Sequence, residues 1–361
     1  MAVLALALAL TAAVTPAARQ APVAGAADAP APATSDQPAR PSFTEWLVGV
    51  RAEARERGIR PEIIDQALSN IDEPVPVVIE RDRSQAETVL PLETYISRQL
   101  TAARVKTGRE MFVEHRQVLD KVAERYGVPA KIIVGIWGLE SNFGRFAGVR
   151  PTVAALATLA WDPRRSALFR KELFAALDIL NNGDIEPAKM QGSWAGAMGQ
   201  PQFMPSSYLE WAEDFDGDGR RDIWDSTPDV FASIANYLKG HGWVAGETWG
   251  REVRIPAAAA KKIAAGVDRR DGSCQARRDM TIALPMSRWR ALGVLTTGGA
   301  PLPASDDEAW LVSGASRHFL VYRNYDALLE YNCAHAYAIT AALLGDQLAA
   351  PARPARAASR R

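Results

Sequence analysis

The stretch Ile132 to Gly144, I-I-V-G-I-W-G-L-E-S-N-F-G, limits the fold more than any other part of this chain. Ile132, Ile133, Val134, Ile136, Trp137 and Leu139 leave a helix here without a polar face, so other helices must enclose it on every side. A chain of 361 residues, 48% of them hydrophobic, is long enough to build that enclosure. One side chain breaks the apolar pattern. Glu140 follows Trp137 by three positions and Ile136 by four, so its carboxyl group leaves the helix from a face otherwise made of large apolar groups. Burial there raises a carboxyl pKa, which a general acid working near neutral pH requires. A structural glutamate satisfied by a backbone amide or an arginine fits the same segment, and the segment alone leaves both readings open.

Helical spacing dominates the surrounding chain. Phe43, Trp46, Leu47 and Val50 form one stripe, ended by Gly58. A single helix is expected over 110–126, with Phe112, Val118, Leu119, Val122 and Tyr126 on one side and Gly127 closing it. Pro129 is expected as the first residue of the next helix, running to about Glu140. Leu168, Phe169, Leu173, Leu177 and Leu180 repeat the pattern over 165–180. Thr227 reads as an N-cap followed by Pro228 in the first turn of a helix ending at Gly240. After Trp249 the pattern shortens to a strand over 252–255 and a hairpin over 309–312 and 318–322, before helical spacing returns over 325–344. The spacing therefore predicts a mainly α fold with a small mixed α/β lobe, and no internal repeat.

The termini have a different composition. Met1 to Val14 is an apolar run too short for the roughly 20 residues of a bilayer helix, and it fits a signal peptide over 1–18. Residues 19–41 form an Ala/Pro-rich linker, and 350–361 a basic tail, both expected to be disordered. No cysteine follows the apolar run to carry a lipid anchor, so a soluble, exported, periplasmic protein without a transmembrane anchor is expected. The 42 Lys+Arg against 42 Asp+Glu give a formal charge of zero. Arg19 and Arg40 balance Asp28 and Asp36 in the leader, and Arg353, Arg356, Arg360 and Arg361 leave the body at −4. Such a charge balance gives no electrostatic reason to expect nucleic acid as a partner. Cys274 and Cys333 lack metal-site spacing, and they either pair or leave Cys333 as a free thiol within the last helix.

Two further motifs carry chemistry. G-S-W-A-G-A-M-G-Q-P-Q-F-M-P-S-S-Y, Gly192 to Tyr208, combines glycines that let backbone approach a ligand with Gln and Ser groups suited to sugar hydroxyl and acetamido groups. Its scattered glycines alone fit a tight structural turn better, but such a turn does not account for the whole string. Tryptophans 137, 161, 194, 211 and 243 add flat surfaces for sugar rings, or are simply core. D-F-D-G-D-G-R-R-D-I-W-D, Asp214 to Asp225, matches a calcium-loop pattern over its first six positions. Asp214, Asp216, Asp218 and the carbonyl of Arg220 would be ligands, with Asp229 closing the site in place of the short Asp225. The ion, Ca2+ or Na+, would brace the loop, and no cofactor is expected for catalysis.

Taken in order, W-G-L-E-S-N-F-G, A-G-A-M-G-Q-P-Q-F-M-P-S-S-Y, D-F-D-G-D-G and A-N-Y-L-K-G-H-G-W resemble the lytic murein transglycosylases of the B family over about residues 42–346. The resemblance implies a lysozyme-like (goose-lysozyme or soluble lytic transglycosylase-like) catalytic domain over 42–349, with a core at about 110–245 and a lobe over 246–349 contributing to the cleft. It implies cleavage of the MurNAc-β-1,4-GlcNAc bond of peptidoglycan without water, leaving 1,6-anhydro-MurNAc ends. By position, Glu140 is the catalytic acid and then base, and Ser193, Gln202, Tyr237, Tyr331, Asn332, Tyr337 and Tyr95 contact sugar. Asp214, Asp216, Asp218 and Asp229 match the family's cation loop. Gln200-Pro201 departs from the Tyr-Gly pair of the best-known members. No second carboxylate lies near Glu140 in sequence, whereas an ordinary glycosidase needs two. The partners implied are glycan strands, bound by a monomer acting alone or within a cell-wall enzyme complex. A hydrolytic muramidase and a catalytically idle peptidoglycan-binding scaffold are the alternatives.

Overall fold

The computed structural model describes residues 41–84 and 90–349. The expected signal segment at 1–18, the linker as far as residue 40 and the tail from 350 lie outside the described residues.

The chain opens with α1 (Phe43–Glu56), α2 (Pro61–Leu68) and α3 (Pro76–Ser84). Ser42 and Glu45 start α1 with a capping box, each side chain bonding the other's backbone N–H. Next come α4 (Leu92–Gln99), α5 (Ala102–Glu114), α6 (Arg116–Tyr126) and α7 (Ala130–Ser141). A two-residue strand β1 (Arg150–Pro151) precedes α8 (Thr152–Trp161) and α9 (Ser166–Asn182), and pairs antiparallel with β2 (Gln191–Gly192). Then follow α10 (Pro205–Trp211) and α11 (Thr227–Gly240). The lobe contains β3 (Gly250–Arg254), α12 (Ala257–Gly266), α13 (Gln275–Arg278), β4 (Leu284–Pro285), α14 (Met286–Leu292), β5 (Leu295–Thr296), β6 (Glu308–Ser313) and β7 (His318–Val321). α15 (Asn324–Tyr331) and α16 (His335–Ala349) end the described chain.

The lobe's antiparallel sheet has the order β4-β6-β7-β3-β5, and the expected hairpin is β6-β7 with Trp310 opposite Val321 and Val312 opposite Phe319. Its own core gathers Val253, Trp289, Leu311 and Leu320. α15 and α16 share a core with α7 and α11, and Val312, Phe319 and Val321 of the sheet pack into that same core. A second core joins α1 and α2 to α8 and α9.

α7 is enclosed as its composition requires, with Ile132, Ile133, Val134, Ile136 and Trp137 all buried. Its closest neighbour is α16, against which glycine is required on both sides. A Cβ on Gly135 would lie 2.4 Å from the carbonyl oxygen of Ala341, and one on Gly345 would lie 2.5 Å from that of Lys131. This contact brings α16 side chains onto the end of α7.

Four local expectations are corrected. The helix expected over 110–126 is two helices broken at His115, whose ring packs edge-on against Trp137 and Phe231, so tertiary contacts override a continuous apolar stripe. Pro129 is the N-cap of α7 rather than its first residue. Ser226, not Thr227, caps α11, its hydroxyl accepting the Asp229 N–H. The helix expected over 325–344 is interrupted at 332–334, where Asn332 is extended, and Cys333 lies in this break, bonded to Cys274.

Candidate active site

Glu140 occupies the last turn of α7. Directly after the helix, Asn142, Phe143 and Gly144 take φ of 51°, 61° and 75°, all left-handed, which turns the chain sharply away and leaves the carboxyl group at the helix end. Ser141 holds this turn by donating to the Trp137 carbonyl and accepting the Gly144 N–H. The Glu140 side chain is half-buried, and burial pushes its pKa up to about 7. Opposing that shift, the Tyr337 hydroxyl donates a hydrogen bond to Glu140 Oε1 and stabilises the carboxylate. The carboxyl is therefore poised between acid and base at neutral pH.

Aromatic groups from three further helices surround it. Tyr331, the last residue of α15, stacks on Tyr337 with ring centroids 6.4 Å apart and donates to the Pro201 carbonyl at 2.7 Å. Tyr237 of α11 meets Tyr331 edge-on at 4.9 Å and donates to the Glu330 carbonyl at 2.8 Å. Burial raises the phenol pKa of all three, Tyr237 to about 12, so they remain neutral. Tyr95 of α4 is half-buried, and its phenol is raised by burial and then by the charge of Glu140, which ties it to the same site. The structure thus brings Glu140, Tyr95, Tyr237, Tyr331 and Tyr337 together.

The loop 192–203 uses its polar groups internally first. Ser193 Oγ accepts the N–H groups of Ala195 and Ala197. Gln202, itself at φ 54°, donates Nε2 to the carbonyls of Ala147 and Gly199. These bonds leave Ser193 its hydroxyl proton and Gln202 its carbonyl oxygen for a ligand. Asn332 lies exposed in the break between α15 and α16.

Gln200, one of the glutamines suited by sequence to sugar contact and a departure from the family's Tyr-Gly pair, is the loop's main anchor. Buried to 8% exposure, it accepts from Trp137 Nε1 at 2.8 Å and donates Nε2 to the Trp224 carbonyl at 2.7 Å. Gly144 packs so closely that a Cβ there would lie 2.5 Å from Gln200 Oε1. A polar residue in a glycine-rich loop following an apolar helix that contains Trp was the only available signal. Trp137 and Trp243 are correspondingly core residues and offer no sugar-stacking face.

In the acidic loop, carboxylate oxygens of Asp214, Asp216 and Asp229 lie within 4.8 Å of one another. Asp229 is fully buried at the start of α11 and accepts the N–H groups of Phe215, Asp216 and Asp222. Burial raises its pKa, with the Asp216 charge adding to the shift. Two acids beside a buried third, with oxygen lone pairs to spare, fit a hard cation. Asp218 stands apart from this group, its carboxylate turned to the N–H and guanidinium of Arg220.

The transglycosylase SLT domain family matches residues 42–346. Over 154 residues, 42% of this chain, the sequence is 42% identical to membrane-bound lytic murein transglycosylase B of Escherichia coli (strain K12), and the match spans 42% of that protein, less than half its length. Among solved structures, SltB3 from Pseudomonas aeruginosa in complex with NAG-anhNAM-pentapeptide is 40% identical, with a TM-score of 0.76 over 85% of this chain and 79% of that one. Escherichia coli lytic transglycosylase Slt35, in complex with calcium, is 28% identical, with a TM-score of 0.69 over 85% of this chain and 92% of that one.

Proposed function

The chain belongs to the transglycosylase SLT domain family, and from that premise we propose that it is a lytic transglycosylase cleaving the MurNAc-β-1,4-GlcNAc bond of peptidoglycan. The observation that carries this reading is the half-buried Glu140, its pKa near 7, bonded to the neutral Tyr337 hydroxyl. Protonated Glu140 donates its proton to the glycosidic oxygen as the C1–O bond breaks. The acetamido oxygen of the same MurNAc attacks C1, taking the place of a second carboxylate. Glu140, now a carboxylate, accepts the proton of the C6 hydroxyl as O6 bonds to C1 and the acetamido group is released. The proton lost in the first step is recovered in the second, no water is consumed, and the product ends in a 1,6-anhydro ring. SltB3 binding a NAG-anhNAM-pentapeptide supports this product.

In the same reading Tyr95, Ser193, Gln202, Tyr237, Tyr331 and Asn332 line the glycan cleft, with Tyr337 supporting Glu140. Asp214, Asp216 and Asp229 hold a structural Ca2+ or Na+, which supplies only charge compensation to the loop. The catalytic unit of residues 42–349 works as a periplasmic monomer after export. Purified sacculi test the proposal: products one water lighter than reducing-end fragments by mass spectrometry support it. Reducing ends would identify a hydrolytic muramidase instead. Tight sacculus binding without turnover would identify an idle scaffold. Glu140→Gln should fold and release no fragments.

A further inference from the structure

We propose that the segment 268–280 is a strap that positions Tyr331 and Asn332 for the glycan, with the Cys274–Cys333 bond and Arg277 as its fastenings; this rests on the cleft assignment above. Three connections join the segment to α15 and to the break after it. Cys274, the N-cap of α13, is bonded to Cys333 across 59 residues of sequence. Arg277 Nη2 pairs with Glu330 Oε1 at 2.6 Å, while its Nε lies 3.6 Å from Asp326 Oδ1. Arg270 Nη1 contacts both Asp326 carboxylate oxygens, at 3.1 and 3.3 Å. Asp326 and Glu330 are one helical turn apart, so the strap grips one side of α15 down to its end.

That helix end carries the groups facing the substrate. Tyr331 closes α15, and the Glu330 carbonyl receives the Tyr237 hydroxyl. Asn332 then leaves the helix with φ −153° and ψ 114°. Among the described residues no hydrogen bond holds the Asn332 side chain, so its orientation comes from the backbone. That backbone is held by Asn332 N–H on the Leu328 carbonyl, Ala334 N–H on the Asn332 carbonyl and the disulfide at the very next residue. Releasing the strap returns conformational freedom to the break and to the last turn of α15. Tyr337 is affected differently. It lies on α16, which is locked to α7 through the close Gly135 and Gly345 contacts, so the Glu140–Tyr337 pair keeps its geometry.

The expected signature is therefore selective: weaker glycan binding with the chemical step preserved. In Cys274→Ser/Cys333→Ser, assayed well below its own unfolding temperature, KM should rise about tenfold while kcat stays within about twofold, since a displaced contact is lost alike from ground and transition states. Arg277→Met should reproduce part of the rise with the disulfide intact, and Arg277→Lys should recover some of it. Binding of NAG-NAM-pentapeptide to the Glu140→Gln protein, with and without the two cysteines, gives a readout free of turnover. A tenfold weaker affinity without the cysteines supports the strap. Equal affinity, or a fall in kcat at constant KM, overturns it and leaves the disulfide as a stabilising link only. Absence of binding to Glu140→Gln with the strap intact, together with no anhydro product from the unmodified protein, overturns the functional reading as well.

Discussion

Replacing Glu140 with glutamine should stabilise the protein at neutral pH, by an amount that vanishes in acid. Burial holds the folded-state pKa at about 7, against the ordinary value of 4.5 expected in the unfolded chain. Between these values the folded state keeps a proton that the unfolded state has released, so unfolding becomes easier as pH rises. At about 1.4 kcal/mol per pH unit crossed, the cost to the native protein grows from near zero at pH 4.5 to about 3 kcal/mol above pH 7. This is an upper value, because the half-buried side chain retains some solvation. Glutamine has the same shape and can still accept from Tyr337, but it has no proton to lose. Urea unfolding of both proteins at pH 4.5, 6 and 8 measures the difference directly. The stability gained by the variant should increase with pH and level off above about pH 7. A gain independent of pH, or one that shrinks as pH rises, would refute the buried-acid account of Glu140.

Tyr337→Phe keeps the ring stack on Tyr331 but removes the hydrogen bond that stabilises the Glu140 carboxylate. A charge-assisted bond is worth about 1.5–3 kcal/mol, so the alkaline limb of the rate against pH should move upward by about one to two pH units; a downward move contradicts the bond's role. Gln200→Leu leaves the buried Trp137 N–H and the Trp224 carbonyl without their partner, at about 1–3 kcal/mol for each. A Tm equal to that of the native protein would show that Gln200 is not the anchor described. Chelation should lower Tm without changing the products. Calcium at a hundredfold excess over its Kd should restore about 2.7 kcal/mol, and Asp229→Asn, which weakens the cluster of three acids, should abolish that response.

Much of this molecule was legible residue by residue, because the relevant signals are local. The apolar run of α7, the Gly127 cap, the β6-β7 hairpin and the acidic loop each depend on chain geometry within a few residues. Glu140 belongs with them, since one carboxyl group following the apolar run from Ile132 to Leu139 is conspicuous without any fold. Two kinds of feature were not legible. The helix breaks at His115 and at 332–334 fall within continuous apolar patterns, and only long-range partners decide them: Trp137 and Phe231 in the first case, Cys274 in the second. The division of labour among polar groups was equally hidden. Gln200 anchors the loop, Asp218 turns to Arg220, and Ser193 and Gln202 first satisfy the backbone around them.

The sequence by itself determined that an acid would sit at the end of a buried helix, that a loop rich in glycine, glutamine and serine would follow, and that acidic side chains would cluster beyond it. Periodicity, caps and turn residues act over a few positions, so they are written in the order of the chain. Only the tertiary structure decided how that acid is tuned. Tyr337 reaches Glu140 across 197 residues, and the pKa near 7 arises from burial of the carboxyl group in the folded chain. Desolvation depends on everything packed around a group, and no stretch of sequence contains it.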